Sequence, residues 1–380
     1  MKSDNARLAH RIARPKFFYF SSSVFPSQRA NNVQVIQMCE ALTRFGYEVT
    51  LVCYKTRELS EEEIFDAYGV VDSFRLFFIE VRSERYKFFR SLLQFVMLVM
   101  KIPKDAVVYG RDVYPLIMCA FFGRFTSYEA HGDPMNSVEN LAMNLLVKLP
   151  NLKKIVAISN GLSTRICERY HLTPASVLVA HDGCNPNQIS SEVVSNKAVR
   201  GVGYVGSLDV SGRGVDVVLY LAERHPELHF HVVGGHANQV DYWQRKASKN
   251  VIFHGFVKHS EVSDKLEMFD IALMPYQHDL KLSGSKVSTI EYMSPMKMFE
   301  YMAAAKIIIS SDLPVLREVL DESNSYLVQC DRYADWSSAI QEIVDDPARA
   351  RLKAQGARKL LEAEYTWNAR VERLLHGGAL

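Results

Sequence analysis

Short apolar runs rich in β-branched and aromatic residues alternate along the chain with longer stretches whose apolar residues return every third or fourth position. The short runs predict strands, and the longer stretches predict helices, for example over 33–46 and 215–226. This alternation is typical of parallel sheets with helices on both faces. The predicted strands cover 16–21, 48–54, 75–81, 106–111, 125–131, 154–159, 176–182, 202–207, 228–235, 250–256, 270–276, 306–311 and 325–330.

These strands are too many for one comfortable sheet. The polar segment 185–200 separates the first seven predicted strands from the last six and is the predicted linker. We therefore expect an α/β protein with two Rossmann-like domains, 1–185 and 186–364, that face a central cleft. Because ligands of such sheets bind beyond the carboxyl ends of the strands, the cleft is the expected site.

Composition narrows the class of protein. The 380 residues are 48% hydrophobic and 23% charged with a net charge of +2, which indicates a globular protein without an overall attraction to nucleic acid. Six cysteines without a C-x-x-C pair predict reduced, buried thiols rather than disulfides or zinc ligands. No secretory signal is recognisable, and the most apolar stretch, 91–102, is too short to span a bilayer. We expect a cytoplasmic protein.

Three glycines, Gly201, Gly203 and Gly206, match the G-x-G-x-x-G spacing of dinucleotide-binding sites. That fingerprint requires a preceding strand and a helix that starts at once. Here the glycines lie inside the predicted strand 202–207 and at its ends, and the next helix starts only near Val215. The pattern favours an ordinary first strand of the second domain over an NAD site, with Gly201 incidental.

The loop after this strand carries Ser207 and Arg213 and leads into a helix. A hydroxyl, a guanidinium and the free N–H groups of a helix start together form a workable anion site. A solvated arginine on a turn is the alternative.

A second stretch, 292–320, combines charged side chains with a predicted helix start. Ser294 and Pro295 predict an N-cap and a first helical residue. Lys297 lies in the first turn, where the helix dipole disfavours a cation unless an anion binds there. Glu300 follows three residues later in an otherwise apolar helix, and its carboxylate can accept two vicinal hydroxyls, as of a ribose. A simple Lys297–Glu300 surface pair is the alternative.

These motifs and several others resemble those of the retaining, nucleotide-sugar-dependent glycosyltransferases of the GT-B fold, glycosyltransferase family four (group one) in particular. The most specific match is SPMKMFEYMAAAKIIISSDLPVLREVL, followed by GYVGSL with GRGVD. Further matches are RANNVQVIQMCEALTRFGYEVTLVCY, VVYGRD, SYEAHGDP, IVAISNGL, VAHDGCN and YTWNARVERLL. The matches cover nearly the whole chain, and the resemblance implies that the last helix, 365–380, returns to the N-terminal domain.

At the donor end, the resemblance implies a role for each matching residue. Glu300 is expected to bind the ribose hydroxyls of the nucleotide. Arg213, with Ser207, is expected to neutralise the diphosphate, and Lys297 and the helix start at Ser294 add to that clamp.

At the acceptor end, the resemblance places His131 at the reaction centre, with the backbone of 21–32 closing under the diphosphate. A histidine that only packs is the alternative. Three positions depart from the family pattern. Arg213 stands where the family usually has a lysine, and Ala305 replaces a glycine at a helix end. Tyr292, a candidate donor-binding residue, stands where the family often has a glutamate that contacts the donor sugar.

Transfer of a sugar from a nucleotide diphosphate requires a metal, or fixed cations and dipoles, to stabilise the departing diphosphate. The sequence contains no D-x-D carboxylate pair. We therefore expect Arg213, Lys297 and helix N-termini to act without a metal or cofactor. The resemblance implies retention of configuration, with the acceptor attacking on the leaving-group face. Expected donors are UDP- or GDP-linked sugars, and expected acceptors are glycans or lipid-linked molecules.

Segment 82–104 combines basic and aromatic residues with an apolar helix, which suits peripheral contact with an anionic membrane surface. A helix that packs its apolar face on the sheet is the alternative. Other functions also stay open at this point: a sugar phosphorylase or nucleotide-sugar epimerase on the same fold, or an inactive GT-B partner subunit.

Overall fold

The structure of the protein, a computed structural model, describes residues 14–25, 27, 30–55, 60–80, 95–134, 136–186, 198–209, 212–280 and 288–380. Within these ranges the strands form two parallel sheets, one of seven strands and one of six. The predicted fold class, two parallel-sheet domains with helices, is confirmed. All thirteen predicted strands are present.

The first sheet has the strand order β3-β2-β1-β4-β5-β6-β7, so the direction of strand addition reverses between β1 and β4. Residues 95–101 are also helical. The elements of this domain are β1 (Lys16–Phe25), α1 (Ala30–Arg44), β2 (Glu48–Lys55), α2 (Glu61–Tyr68), β3 (Arg75–Glu80), β4 (Val107–Gly110), α3 (Val113–Phe121), β5 (Thr126–Ala130), α4 (Ser137–Leu146), β6 (Leu152–Ala157), α5 (Asn160–Tyr170) and β7 (Val177–Val179).

The second sheet has the order β10-β9-β8-β11-β12-β13 and reverses between β8 and β11. Its domain contains β8 (Gly201–Val205), α6 (Val215–Arg224), β9 (His229–Val233), α7 (Ala237–Gln244), β10 (Val251–Gly255), α8 (Val262–Leu266), β11 (Ile271–Met274), α9 (Met296–Ala303), β12 (Ile307–Ser311), β13 (Tyr326–Val328), α10 (Tyr333–Asp345) and α11 (Pro347–Glu364). The last helix, α12 (Trp367–His376), lies against α1 of the first domain, where Trp367, Val371 and Leu374 are buried.

Several predicted boundaries differ from the observed ones, and two of the differences matter for the site. Strand β1 continues to Phe25 instead of ending at Ser21, with an irregular register between Phe20 and Val24. Helix α9 begins at Met296, and Pro295 rather than Ser294 is its N-cap residue. At the other end of α9, Ala305 adopts a left-handed backbone conformation (φ 48°). The helix therefore ends in the left-handed turn that usually takes a glycine. This backbone conformation is less favourable for the alanine that occupies the position here.

All six cysteines are unpaired, and all except the partly exposed Cys167 are buried. Of the segment 82–104, residues 82–94 lie outside the described part of the chain. In the remainder, Leu98, Val99 and Ile102 pack into the core of the first domain, whereas Met97 and Met100 are exposed. Among the described residues, no helix combines the length and apolar character needed to cross a membrane.

Candidate functional site

A cavity of about 900 Å³ lies between the two domains, beyond the carboxyl ends of β1, β4 and β5 on one side and β8, β9 and β11 on the other. Both points of strand-order reversal open onto it, which is where open α/β sheets bind ligands. The predicted site residues all line this cavity: His131, Ser207, Arg213, Tyr292, Ser294, Lys297 and Glu300.

Two cations, Arg213 and Lys297, meet on the second-domain wall of the cavity. The ammonium nitrogen of Lys297 lies 4.2 Å from the ring centroid of Tyr204 and 5.1 Å from that of Tyr276. Burial and the charge of Arg213 lower the pKa of Lys297 to about 7, against the opposing effect of Glu300. Nε of Arg213 is buried without a hydrogen-bond partner. In the part of the chain that the structure describes, neither cation forms a salt bridge, so this wall is prepared for an anion.

The three spaced glycines are explained by close packing. A Cβ atom on Gly201 would lie 2.0 Å from the carbonyl oxygen of Met268, and one on Gly203 would lie 2.1 Å from the ring of Phe269. The neighbouring backbone leaves no room for a side chain at Gly201, so the glycine is required by strand packing, in agreement with an ordinary first strand of the second domain. At Gly206, a Cβ atom would lie 2.7 Å from the Lys297 ammonium nitrogen. Glycine at 206 thus lets the lysine lie against the backbone.

The two predicted serine ligands have other partners in the structure. Ser207 donates a hydrogen bond to Asp209 (2.8 Å), whose other carboxylate oxygen accepts one from Gln239 (2.8 Å). The hydroxyl of Ser294 accepts a hydrogen bond from the backbone N–H of Asp182 in the interdomain segment (3.0 Å). Ser294 therefore does not cap α9. It connects the wall that carries Arg213 and Lys297, which we call the cation wall, to the first domain.

Glu300 is buried at the cavity wall. Nδ1 of His259 lies 3.6 Å from Oε1 of Glu300. This separation exceeds a normal hydrogen bond, so the carboxylate keeps acceptor capacity for a ligand. A carboxylate facing a cavity from an apolar helix can accept bonds from two adjacent hydroxyl groups.

On the first-domain wall, Nε2 of His131 lies 2.5 Å from Oε1 of Glu129. Glu129 is buried and also accepts hydrogen bonds from Tyr19 (2.9 Å), Gln34 (2.6 Å) and Arg370 (3.0 Å). Burial alone would raise the pKa of Glu129, but Arg370 and His131 outweigh it, so the pKa is lowered.

The pKa of His131 is also lowered, first by burial and then by the charge of Arg111. A neutral ring beside an ionised Glu129 must donate from Nε2–H, because a carboxylate only accepts. Nδ1 of His131 is then left as an acceptor. The arrangement holds the ring in one tautomer at the cavity wall.

Glu129, His131 and Asp182 offer ligand atoms within 4.8 Å of one another, a spacing that a metal ion could use. The surroundings favour another role. Oε1 of Glu129 already accepts hydrogen bonds from Gln34 and Arg370, and Arg370 lies 4.0 Å from Asp182. A dication here would face this guanidinium at short range. The group is therefore better suited to fixing His131 than to binding a metal.

Tyr292 lies at the junction of the two domains rather than pointing freely into the cavity. It is 2% exposed and packs into the core of the first domain, close to Gly132. Its carbonyl oxygen accepts a hydrogen bond from Ser159 (2.9 Å). Glu291, one position earlier, pairs with Arg165 of the first domain. In this arrangement neither side chain offers a carboxylate to the cavity.

Sequence reasoning missed Glu318, which joins the domains. Its carboxylate accepts hydrogen bonds from the backbone N–H groups of Asn160 (2.7 Å) and Gly161 (3.1 Å) at the start of α5, and pairs with His181 (2.7 Å). Burial would raise the pKa of Glu318, but these donors lower it. An anion at a helix N-terminus is a favourable pairing. The signal was a single carboxylate in REVL, which local spacing does not distinguish from a surface residue.

Gln34, Arg111 and His259 are among the cavity residues that were not singled out from the sequence. Arg111 directly follows β4 at the point of strand-order reversal, so its position after a strand was an available signal. Its guanidinium donates to Gln34 (3.0 Å) and to the carbonyl oxygen of Asn31 (3.3 Å). It therefore adds a positive charge beside His131.

A known family model matches part of the second domain. Residues 199–346 match the family model described as Glycosyl transferases group 1. No functionally curated protein matches the chain significantly.

Solved structures of glycosyltransferases share the fold of the whole chain. HepE from Anabaena, crystallised with UDP and glucose, is 13% identical with a TM-score of 0.69, over 96% of this chain and 100% of that one. A TarM variant from S. aureus, crystallised with UDP, fondaparinux and α-GlcNAc-glycerol, is 10% identical with a TM-score of 0.71, over 96% and 100%. Sucrose-phosphate synthase from Thermosynechococcus elongatus is 16% identical with a TM-score of 0.67, over 96% and 98%. Residues 199–346 thus match the model of the group 1 glycosyl transferases, and the whole chain has the GT-B fold.

Proposed function

We propose that the protein is a glycosyltransferase. It moves a sugar, with retention of anomeric configuration and without a metal or other cofactor, from a UDP- or GDP-linked donor to a hydroxyl of a glycan or lipid-linked acceptor. The observation that carries the proposal is the cavity itself. It joins two unpaired cations and a hydroxyl-accepting carboxylate on one domain to an oriented histidine on the other. A cytoplasmic location fits the six unpaired cysteines and a nucleotide-sugar donor.

The donor fits the second-domain wall in one direction. Glu300 accepts hydrogen bonds from the ribose hydroxyls, which leaves the diphosphate beside Lys297 and Arg213. The diphosphate relieves the repulsion between these cations, and its charge is neutralised in a partly dehydrated site. The sugar then extends toward His131 on the opposite wall. HepE and TarM were crystallised with UDP, which supports a uridine nucleotide as the first donor to test.

Transfer breaks the bond between the anomeric carbon and the diphosphate oxygen, and forms a bond from that carbon to the acceptor oxygen. Arg213 and Lys297 stabilise the negative charge that develops on the departing diphosphate. The acceptor hydroxyl attacks on the same face, and its proton passes to the departing oxygen. Neutral His131 accepts a hydrogen bond from a hydroxyl of the sugar or acceptor and holds it in place. The configuration of the first product, read by proton NMR, tests retention directly.

Binding of a nucleotide is the first test. We expect UDP or GDP to raise the melting temperature of the protein by mass action, equally with EDTA and with Mg²⁺. Glu300→Gln should weaken nucleotide affinity about tenfold, since a hydrogen bond to a charged group is lost. Calorimetry with UDP and 2′-deoxy-UDP locates the contact: the wild type should prefer the ribonucleotide, and Glu300→Gln should lose most of that preference.

Glu342→Gln, an exposed carboxylate on α10, serves as the matched control and should bind like the wild type. If no nucleotide stabilises the protein, the proposed donor class is wrong. If Mg²⁺ is required, only the metal-independent part is wrong.

Affinity for a nucleotide sugar should fall as pH rises. The free protein has a Lys297 pKa of about 7, and a bound diphosphate favours the protonated form, so the complex binds more protons than the free protein. The dissociation constant should therefore rise by up to about tenfold per pH unit above neutrality. Titration calorimetry with a nucleotide sugar measures this, because its diphosphate diester does not titrate near pH 7.

Lys297→Met should bind more weakly and with little pH dependence over the same range. A wild-type affinity that stays constant between pH 6 and 9 would contradict the role given to Lys297.

A further inference from the structure

The outer face of one helical layer of the first domain is unusually apolar. Three helical segments, 95–101, α3 and α4, bury one side against the sheet and turn the other outward. Of the seventeen large hydrophobic residues that are exposed in the described part of the chain, nine lie on this layer or at its lower end. They are Met97, Met100, Tyr114, Phe121, Phe122, Phe125, Val138, Leu141 and Leu145.

We call these nine residues the N-domain apolar face. Helices α3 and α4 pack side by side. On α4, Val138, Leu141 and Leu145 follow helical spacing, with exposed fractions of 65%, 70% and 50%. The buried Arg124 ties the end of α3 to residues 100–102, by hydrogen bonds to the carbonyl oxygens of Phe122 (2.8 Å) and Ile102 (2.9 Å).

Lysines border the lower edge of this face. Lys101, Lys104, Lys148 and Lys153 are exposed, and the ammonium nitrogen of Lys153 lies 5.7 Å from the ring centroid of Phe125. The described segments 95–126 and 136–154 contain three acidic residues. Asp105 lies at the lower edge, whereas Asp112 and Glu139 lie at the opposite end of the face. The edge therefore carries a net positive charge beside large apolar side chains.

We propose that the N-domain apolar face docks on a lipid bilayer that contains anionic lipids. Exposed phenylalanine, leucine and methionine side chains insert at the boundary between headgroups and acyl chains, and the lysines pair with lipid phosphates. A second copy of this chain is a poorer occupant, because its own face would supply few carboxylates to pair these lysines. This inference does not depend on the proposed reaction.

Docking in this way also orients the protein. The upper end of the face reaches a second cavity, of about 460 Å³, lined by Tyr114, Asp112, Asn136 and Glu139. Arg111 lines both this cavity and the interdomain cavity that holds His131. A bilayer on the apolar face therefore lies next to a polar route to the reaction centre. An acceptor anchored in that bilayer would reach His131 along it.

Vesicle flotation of the full chain tests the proposal. We expect the wild type to float with phosphatidylcholine vesicles that contain phosphatidylglycerol, to float less at high salt, and to bind weakly to phosphatidylcholine alone. The double variant Phe121→Ser/Leu141→Ser should reduce vesicle binding at least about tenfold, since two exposed apolar anchors are lost. Leu352→Ser, at a similarly exposed position of the second domain (67%), should float like the wild type.

Three results would overturn the proposal. The first is failure of the wild type to float with anionic vesicles. The second is unchanged flotation of the double variant, which would assign the binding to another part of the chain. The third is a dimer in vesicle-free buffer, seen by sedimentation, that the double variant abolishes, because the face would then be an interface between copies. Unchanged melting temperature and nucleotide affinity of the double variant establish that it is folded.

Discussion

Arg213→Met is expected to lower the turnover number for sugar transfer by about 10²–10³-fold, the usual cost of removing one group that stabilises a developing negative charge. Nε of Arg213 has no partner in the described structure, and its charge already depresses the pKa of Lys297. The Nε–H group of Arg213 can therefore donate a hydrogen bond to an anionic ligand in the cavity. As the diphosphate departs it gains charge, so loss of Arg213 should affect turnover more than donor affinity.

Arg213→Lys is the matched control for this variant. The family that the sequence resembles has a lysine here, so we expect this variant to keep turnover within about tenfold of the wild type, as a point charge replaces a planar one. Steady-state kinetics with the donor that binds best, together with donor affinity from calorimetry, separate the two effects. Equal turnover of Arg213→Met and the wild type would show that the cation wall does not act on the leaving group.

Position along a strand explains which part of the site the sequence could predict. Strands such as Ile307–Ser311, which begins with three isoleucines and is buried at every position, are recognisable because both faces of a parallel sheet are covered. Residues that follow such runs lie at the cleft, which identified Ser207 and His131. The ends of elements were less predictable. The alternating residues after Ser21 continue β1, and Pro295 serves as the N-cap of α9 although proline is more familiar one position later.

The surroundings of His131 show why the rest of the site was not predictable. Glu129 lies two residues earlier on the same strand side, so its proximity to His131 follows from the period of a strand. The other partners of Glu129 are far away along the chain: Tyr19 by 110 residues, Gln34 by 95 and Arg370 by 241. No local pattern links a buried arginine in a late amphipathic helix to a carboxylate in an early strand.

Arg370 joins more parts of the molecule than any single motif suggested. It projects from α12, is buried, and donates hydrogen bonds to the carbonyl oxygens of Ala180 and His181 and to the carboxylate of Glu129. The same guanidinium thus holds the last helix on the first domain, fixes the segment that leads to the second domain, and keeps Glu129 ionised beside His131. The buried Arg370–Glu129 ion pair thus contributes both to the packing of the last helix and to the position of His131.

Arg370→Met is therefore expected to lower the free energy of unfolding by about 3–5 kcal/mol, because it leaves Glu129 buried without its principal counter-charge. Glu129 would take up a proton more readily, and His131 would lose the ionised partner that fixes its tautomer, so turnover should fall even where the protein is still folded. Urea unfolding, followed by tryptophan fluorescence, measures the first effect.

Arg373→Met, three residues along the same helix, removes an exposed pair with Glu364 (2.8 Å) and should cost less than about 1 kcal/mol. If both variants lose the same stability, the buried pair contributes no more than a surface pair, and Glu129 must be stabilised by Tyr19, Gln34 and His131 alone. If Arg370→Met loses stability but keeps the turnover of the wild type at low urea, the ion pair supports the fold and not the histidine. Only a variant that loses both supports the arrangement in which Arg370 positions His131 through Glu129.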